Sequence, residues 1–267
     1  MRRPNANGRV RTAVRRLGAR RVVDRTFDWV RYEIDALTDP VYLPDDHLPP
    51  HPRPSVRATG TRTRWGLLQP VLHAADVRSA LDLGCNSGWF VVELGRLGIA
   101  TLGIENHPAY HRSAVYSVER SGLENVGVAK LSINEQTLAL LPRVDCVLFL
   151  SLWHHLVHES GMDEATRTLE AAWNVSKKVL VFETVSRNAA ASFDVPDLSP
   201  DDETWFRTYF ARVCPDADVV PLGTSAVAAQ EQSDEDARTL FALLRRDRAN
   251  RTLAQLTADK HLEHVRY

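Results

Sequence analysis

The chain has 267 residues, with 33 lysines and arginines against 34 aspartates and glutamates, and 44% of it is hydrophobic. That balance belongs to an ordinary folded protein, long enough for one α/β domain with an extension or for two small domains. The near-neutral charge excludes a whole-chain electrostatic preference for nucleic acid, and no apolar run approaches the ~20 residues needed to span a bilayer.

Charge is nevertheless unevenly placed. Residues 1–25 hold nine arginines and one acid, Asp24. Over 9–37, Val10, Val14, Leu17, Phe27, Val30, Ile34 and Leu37 recur at helical spacing, with Gly18 as a break point. Three readings compete for this basic helix. It meets an anionic membrane surface, it binds RNA, or it is solvated or packed on the domain or a second subunit. No aromatic residue is interleaved with the arginines before Phe27, so the membrane is the favoured functional reading over single-stranded RNA. Residues 38–63 turn to Pro, Asp, His, Thr and Arg, with six prolines from Pro40 to Pro54. Residues 1–63 therefore form a basic helical extension and a Pro-rich irregular segment. The basic N-terminus lacks a following apolar h-region, which argues against a secretory signal. Cys85, Cys146 and Cys214 cannot all pair, which points to reduced thiols in a cytoplasmic protein, peripheral to the inner membrane face if the arm binds lipid.

From residue 64 the rhythm becomes helix, strand, helix, strand. The pattern predicts a helix over 65–74, a buried strand over 79–83 and a helix over 88–97 closed by Gly98. A strand over 100–104 and a helix over 108–121 ending in Gly122 follow. Strands are expected over 126–131, 144–150 and 177–185, with a helix over 163–175 between the last two. Ser199 and Pro200 read as the N-cap and first position of one more helix. Residues 217–223 and 238–245 read as a hairpin at the sheet edge. Continuous apolar strands alternating with helices imply a parallel sheet covered on both faces.

The stretch SALDLGCNSGWF, residues 79–90, is a strand, a glycine loop and a helix start. In doubly wound sheets ligands sit beyond the carboxyl ends of the central strands, where small residues allow close backbone approach. A nucleoside triphosphate loop needs a lysine after its last glycine, whereas Gly88 is followed by Trp89 and Phe90. A dinucleotide loop needs a middle glycine where this chain has Asn86. Asp82 at the strand end would repel a pyrophosphate and suits a cation. Asn86 tolerates the left-handed conformation that a glycine would otherwise supply. Glu105, closing the second strand 21 residues after Gly84, can accept two ribose hydroxyls.

The D-x-G-C-x-x-G pattern resembles motif I of class I S-adenosylmethionine (SAM)-dependent methyltransferases, and the resemblance runs through 64–185 and extends to 247. It implies a Rossmann-like doubly wound, mainly parallel seven-stranded α/β sheet with an antiparallel last strand, carried by residues 64–267 with the helical extension before it. SAM is the implied cofactor. Asp82, Gly84, Cys85, Asn86, Gly88, Glu105, Asn134 and Ser151 are the expected binding residues, with adenine stacked on Ile133 and bonded to Asn134. Ser132, Ile133 and Asn134 stand where the family usually has an acid.

Residues 144–159, VDCVLFLSLWHHLVHE, resemble motif IV of the same family, where small-molecule methyltransferases carry a comparable Leu-His-His. The Pro-Pro signature of many nucleic-acid N-methyltransferases is absent. A hydroxyl acceptor must lose its proton, and histidine suits that task. His154, slightly ahead of His155, is the expected general base, with Glu183 as a further candidate and Trp153 and Trp89 as pocket walls. The competing reading has one histidine capping the next helix and the other packed on the sheet. His154 and His158 lie four apart without a third ligand at sensible spacing, so no metal site is expected. The expected function is O-methylation of a small molecule or a sugar or glycan intermediate in biosynthesis. The alternatives are an RNA methyltransferase guided by the basic arm and a non-catalytic SAM-binding partner protein.

Overall fold

The computed structural model describes residues 58–226 and 237–246. The expected basic helix over 9–37 and all of the Pro-rich segment before residue 58 lie outside the described residues. The first described helix, α1, runs Ala58–Ala74. It begins well inside the stretch read as irregular. Its inner face explains the difference, because Thr61 and Arg64 are buried there, and polar residues leave no apolar periodicity to read.

Seven strands form one sheet in the order β3-β2-β1-β4-β5-β7-β6. They are β1 (Ser79–Leu83), β2 (Ala100–Ile104), β3 (Val126–Ala129), β4 (Val144–Phe149), β5 (Ser176–Glu183), β6 (Ala217–Ala226) and β7 (Ala237–Arg245). β1 through β5 pair in parallel, and β7 inserts antiparallel between β5 and β6. The expected antiparallel last strand is present. The chain leaves β1 toward β2 and β3, then returns to the other side of β1 as β4. This places a topological switch point between β1 and β4, where such sheets open a crevice.

The connecting helices are α2 (Trp89–Arg96), α3 (Pro108–Ser121), α4 (Glu135–Ala139), α5 (Trp153–Val175), α6 (Arg187–Ala190) and α7 (Asp202–Val213), with a 3-10 turn at Ala191–Phe193. Four of these depart from the sequence reading, and two of them, α4 and α6, have no counterpart in it. The helix between β4 and β5 was expected over 163–175, yet α5 starts at Trp153 and is interrupted by Gly161 at φ 82°. The cap of α7 is Asp201 rather than Ser199, because its carboxylate accepts both the amide and the hydroxyl of Thr204 at 2.8 Å. Ser199–Pro200 is a cis peptide bond before that cap.

Strand side chains alternate between the two faces. Leu81, Leu83, Phe149 and Phe182 face α5 and α7 in one apolar core with Trp153, Phe206 and Phe210. Ala80, Leu148, Val181, Leu240 and Ala242 face the other way, in a second core with Leu68 and Leu72 of α1 and Leu94 of α2. By this parity Asp82, Glu183 and Arg238 share the α1 face. Asp82 and Glu183 each follow an apolar residue of that face by two positions, and Arg238 precedes one, at the sheet edge where β1 and β5 end and β7 begins.

Candidate functional site

The glycine loop between β1 and α2 is built from left-handed residues. Gly84 (φ 74°), Asn86 (φ 50°) and Gly88 (φ 78°) all take positive φ, and Asn86 fills the role expected of it. Glycine at 88 also permits close packing, because a Cβ there would stand 3.2 Å from the Ala114 backbone of α3. Cys85 turns inward against Gly103, where an added Cβ would meet its Sγ at 2.8 Å. Burial and the nearby Asp82 and Glu105 charges push the Cys85 thiol well up. Its side chain is thus a packing group beneath the loop.

The loop amides are already spent. Gly84 and Cys85 donate to the Ile104 carbonyl, at 2.9 and 3.1 Å, and Gly88 donates to the Cys85 carbonyl at 2.8 Å. Asn86 N–H donates to Glu105 Oε2 at 2.9 Å, and Ser87 N–H to Asn86 Oδ1 at 2.8 Å. The sequence reading had the loop offering N–H groups to a ligand. Instead it turns them inward and presents two buried acids, Asp82 and Glu105. A phosphate needs free N–H donors and no carboxylates, so this loop is built for a different ligand.

Glu105 also accepts the His107 amide at 2.7 Å through Oε1. Burial raises its pKa, and the amides of His107 and Asn86 oppose that rise. Asp82 is more exposed to the energetic cost of burial. Its Oδ2 is buried without a hydrogen-bond partner among the described residues. Burial first, then the Glu105 charge, push its carboxyl up to about 7, with Arg64 pulling the other way. An uncompensated buried carboxylate of this kind fits a cationic ligand group.

Two further segments close over the loop. A Cβ on Gly84 would lie 3.6 Å from Leu152 Cδ1 and 4.0 Å from Ile133 Cδ1, so the turns after β4 and β3 converge on this glycine. Asn134 spends its Oδ1 on the Thr137 amide at 2.9 Å as the cap of α4. That leaves the Nδ2 group for any ligand contact.

Ser151 and Glu183 belong to a buried ionic network that sequence reasoning missed. Arg64 donates from Nη1 to Glu183 Oε2 at 3.1 Å, from Nη2 to Thr61 Oγ1 at 3.0 Å and from Nε to the Gly60 carbonyl at 3.3 Å. Ser151, in the left-handed region at φ 51°, donates a short hydrogen bond to the same Glu183 oxygen. Arg238 Nη1 donates to Ser151 Oγ at 2.9 Å, and Ser225 Oγ to Glu183 Oε1 at 3.3 Å. Burial of Glu183 acts to raise its pKa, but Arg64, Arg238 and the Ser151 hydroxyl outweigh it and hold the carboxyl below its usual range. A carboxylate so stabilised is a weak base, so its geometry is that of a counter-ion. Arg238 carried a readable signal, since it shares strand parity with Leu240, Ala242 and Leu244 and so must face inward. Arg64, flanked by Thr63 and Trp65, carried none.

The histidines sit in the first turn of α5. His154 is buried and His155 exposed, with ring centroids 4.5 Å apart. Phe193 of the 3-10 turn packs edge-on against both, at 4.6 and 4.9 Å. His158 instead pairs with Asp194 at 3.0 Å. The expected walls Trp153 and Trp89 are core residues. Trp153 is fully buried, with its indole N–H on Tyr209 at 3.2 Å, and Trp89 packs edge-on against Phe90 and Trp65.

No protein-family model matches the chain. A 108-residue stretch, 39% of the chain, is 29% identical to the O-antigen chain terminator bifunctional methyltransferase/kinase WbdD of Escherichia coli, of which it covers 15%. The crystal structure of bifunctional kinase-methyltransferase WbdD matches 80% of the chain at TM-score 0.60 and 19% identity, and the match covers 46% of that chain. The N-methyltransferase NodS of Bradyrhizobium japonicum WM9 matches at TM-score 0.51 and 15% identity, over 70% of this chain and 96% of its own. The magnesium protoporphyrin IX methyltransferase ChlM of Synechocystis PCC 6803, with bound S-adenosylhomocysteine (SAH), matches at TM-score 0.50 and 13% identity, over 70% and 84%. The fold is that of SAM-dependent methyltransferases. The chain spans less than half the length of WbdD, so that likeness reaches one part of the larger protein only.

Proposed function

We propose that this protein binds SAM at the β1–β2 edge and transfers its methyl group to a hydroxyl of a small molecule or a sugar of a glycan intermediate. The observation that carries the reading is the glycine loop whose amides are turned inward while two acids, Asp82 with an unpartnered Oδ2 and Glu105, are buried beside it. Asp82, with its unpartnered Oδ2, suits the ammonium of the methionine end. Glu105 retains acceptor capacity for ribose hydroxyls beside the two amides it already takes. Ile133 and Leu152 beside Gly84 would serve as apolar walls for an adenosine, and the Asn134 Nδ2 group would donate to the adenine edge.

SAM supplies an electrophilic methyl on a sulfonium, and the transfer is an in-line displacement that depends mainly on alignment. The protein's remaining task is the proton on the acceptor hydroxyl. It passes to an imidazole nitrogen as the new C–O bond forms. His155 is the better placed of the pair. It is exposed, and it lies one helical turn beyond Leu152, on the side that meets the glycine loop. His154 is buried behind it against Phe193 and fits a supporting position. The similarity to an O-antigen chain terminator methyltransferase/kinase supports a glycan acceptor. Calorimetry with SAM, SAH and NAD tests the binding reading, and mass analysis of products from methyl-labelled SAM and candidate saccharides tests the acceptor. NAD binding without a SAM response would sink the proposal.

A further inference from the structure

We propose that Arg64 and Arg238 form a site for an oxyanion, a carboxylate or phosphate group carried by the methyl acceptor. This rests on the methyltransferase reading above, since it assigns the acceptor side of that site.

The argument starts from charge. Arg64, Arg238 and Glu183 are all buried on one face of the sheet, two guanidinium groups against one carboxylate. Asp82 shares the face, but it belongs to the glycine loop, where the ammonium of the proposed cofactor takes its charge. Glu183 is saturated by Arg64, Ser151 and Ser225. Arg238 reaches Ser151 through Nη1, while its Nε is buried with no hydrogen-bond partner among the described residues. A buried cation with an unmatched donor is costly unless a ligand completes it. A planar guanidinium fork matches carboxylate and phosphate oxygens in pairs.

Position decides which ligand. In the strand order, β7 stands three places from β1, with β4 and β5 between. At ~4.8 Å per strand, Arg238 enters the sheet about 14 Å from the strand that carries the glycine loop. Glu105 lies on the opposite side of that loop, after β2. An adenosine held at Glu105 and Asp82 therefore leaves Arg238 on the far side of Ser151, toward the acceptor. Ser151 keeps its left-handed backbone between the two regions, a conformation that persists only where the surroundings enforce it.

The test titrates inorganic phosphate into the full-length protein with and without SAH, at ionic strength held constant with chloride. A saturable calorimetric response to phosphate is expected from the unmodified protein. Arg238→Gln should weaken it about tenfold or more and leave SAH affinity unchanged. Arg238→Lys keeps the charge and loses the fork, so it should also weaken phosphate binding should the glutamine variant not fold. A phosphate response equal to that of chloride, or one undiminished in both variants, overturns the proposal. If Arg238→Gln weakens SAH but not methylthioadenosine, which lacks the amino-acid end, the arginine serves the cofactor's own carboxylate and the acceptor assignment falls. Absence of SAH binding in the unmodified protein would instead defeat the methyltransferase reading, and the SAH-free titration would still judge the anion site.

Discussion

Glu105 closes β2 and accepts the Asn86 amide at 2.9 Å, so the acid expected at the cofactor ribose also holds the glycine loop in shape. Its second oxygen takes the His107 amide that leads into α3. One carboxylate thus couples the glycine loop to the turn after β2. Glu105→Ala should therefore weaken SAH by about 1–3 kcal/mol, the scale for a lost charged hydrogen-bond partner, and should also loosen the loop. Glu105→Gln keeps an acceptor for one amide and should lose less. Calorimetry with SAH checks both. Equal affinity in all three proteins would remove Glu105 from the site.

SAM binding should depend on pH through Asp82. Its carboxyl is raised from 3.8 to about 7, first by burial and then by the charge of Glu105. Below pH 7 a bound ammonium must displace that proton. Affinity for SAM should rise as pH climbs toward 7, by at most about tenfold per unit, and level off above. Stability of the free protein follows the opposite sign. The folded state keeps a proton that the unfolded chain releases near 3.8, so this contribution is present below that value and is lost as pH rises to about 7. Asp82→Asn should flatten both profiles, and methylthioadenosine, without the ammonium, should show no slope with either protein.

The Arg64–Glu183 pair predicts a stability effect rather than a catalytic one. Glu183→Gln leaves Arg64 and Arg238 buried without their counter-charge, and breaking such a pair costs about 3–5 kcal/mol. Urea denaturation should show the loss. The pair stabilises above the ordinary glutamate pKa, and its contribution disappears as pH falls through the lower folded value. The methyl transfer rate per folded molecule should change little. A rate collapse with unchanged stability would return Glu183 to the chemistry.

These contrasts show what the sequence could carry. The parallel strands were readable because both faces are buried, which leaves continuous apolar runs such as VDCVLF in β4. The left-handed role of Asn86 followed from residue type alone. The first turns of α1 and α5 were not readable, because Thr61, Arg64 and His154 are buried polar residues that break the apolar period. The same cause hid the ionic network. A pairing across 119 residues of chain leaves no local trace, and only the inward parity of Arg238 hinted at it. The turning of the loop amides toward Ile104 and Glu105 is tertiary, and no spacing announces it.

The arginine-rich segment outside the described residues is addressed by binding. If it meets anionic lipid, full-length protein should co-sediment with anionic vesicles and release with salt, and deletion of residues 1–25 should abolish this while sparing SAH binding. An RNA gel shift over the same salt series tests the competing partner. Retention of vesicle binding after the deletion would place the lipid contact elsewhere.

The histidine pair gives the most direct test of chemistry. His155 is exposed in the first turn of α5, and His154 is buried beside it, with Phe193 packed against both. If His155 takes the acceptor proton, His155→Ala should lower turnover by about 10²–10⁴, with SAH affinity nearly unchanged. The rate of the unmodified enzyme should fall in acid, because only the neutral ring accepts a proton. His154→Ala acts differently, since it opens space beside Phe193, and should reduce stability together with rate. An effect confined to His154 would exchange their roles, with the buried imidazole as base. Little loss of rate in either variant would take both out of proton transfer. Methyl transfer would then rest on alignment of an acceptor that needs no base.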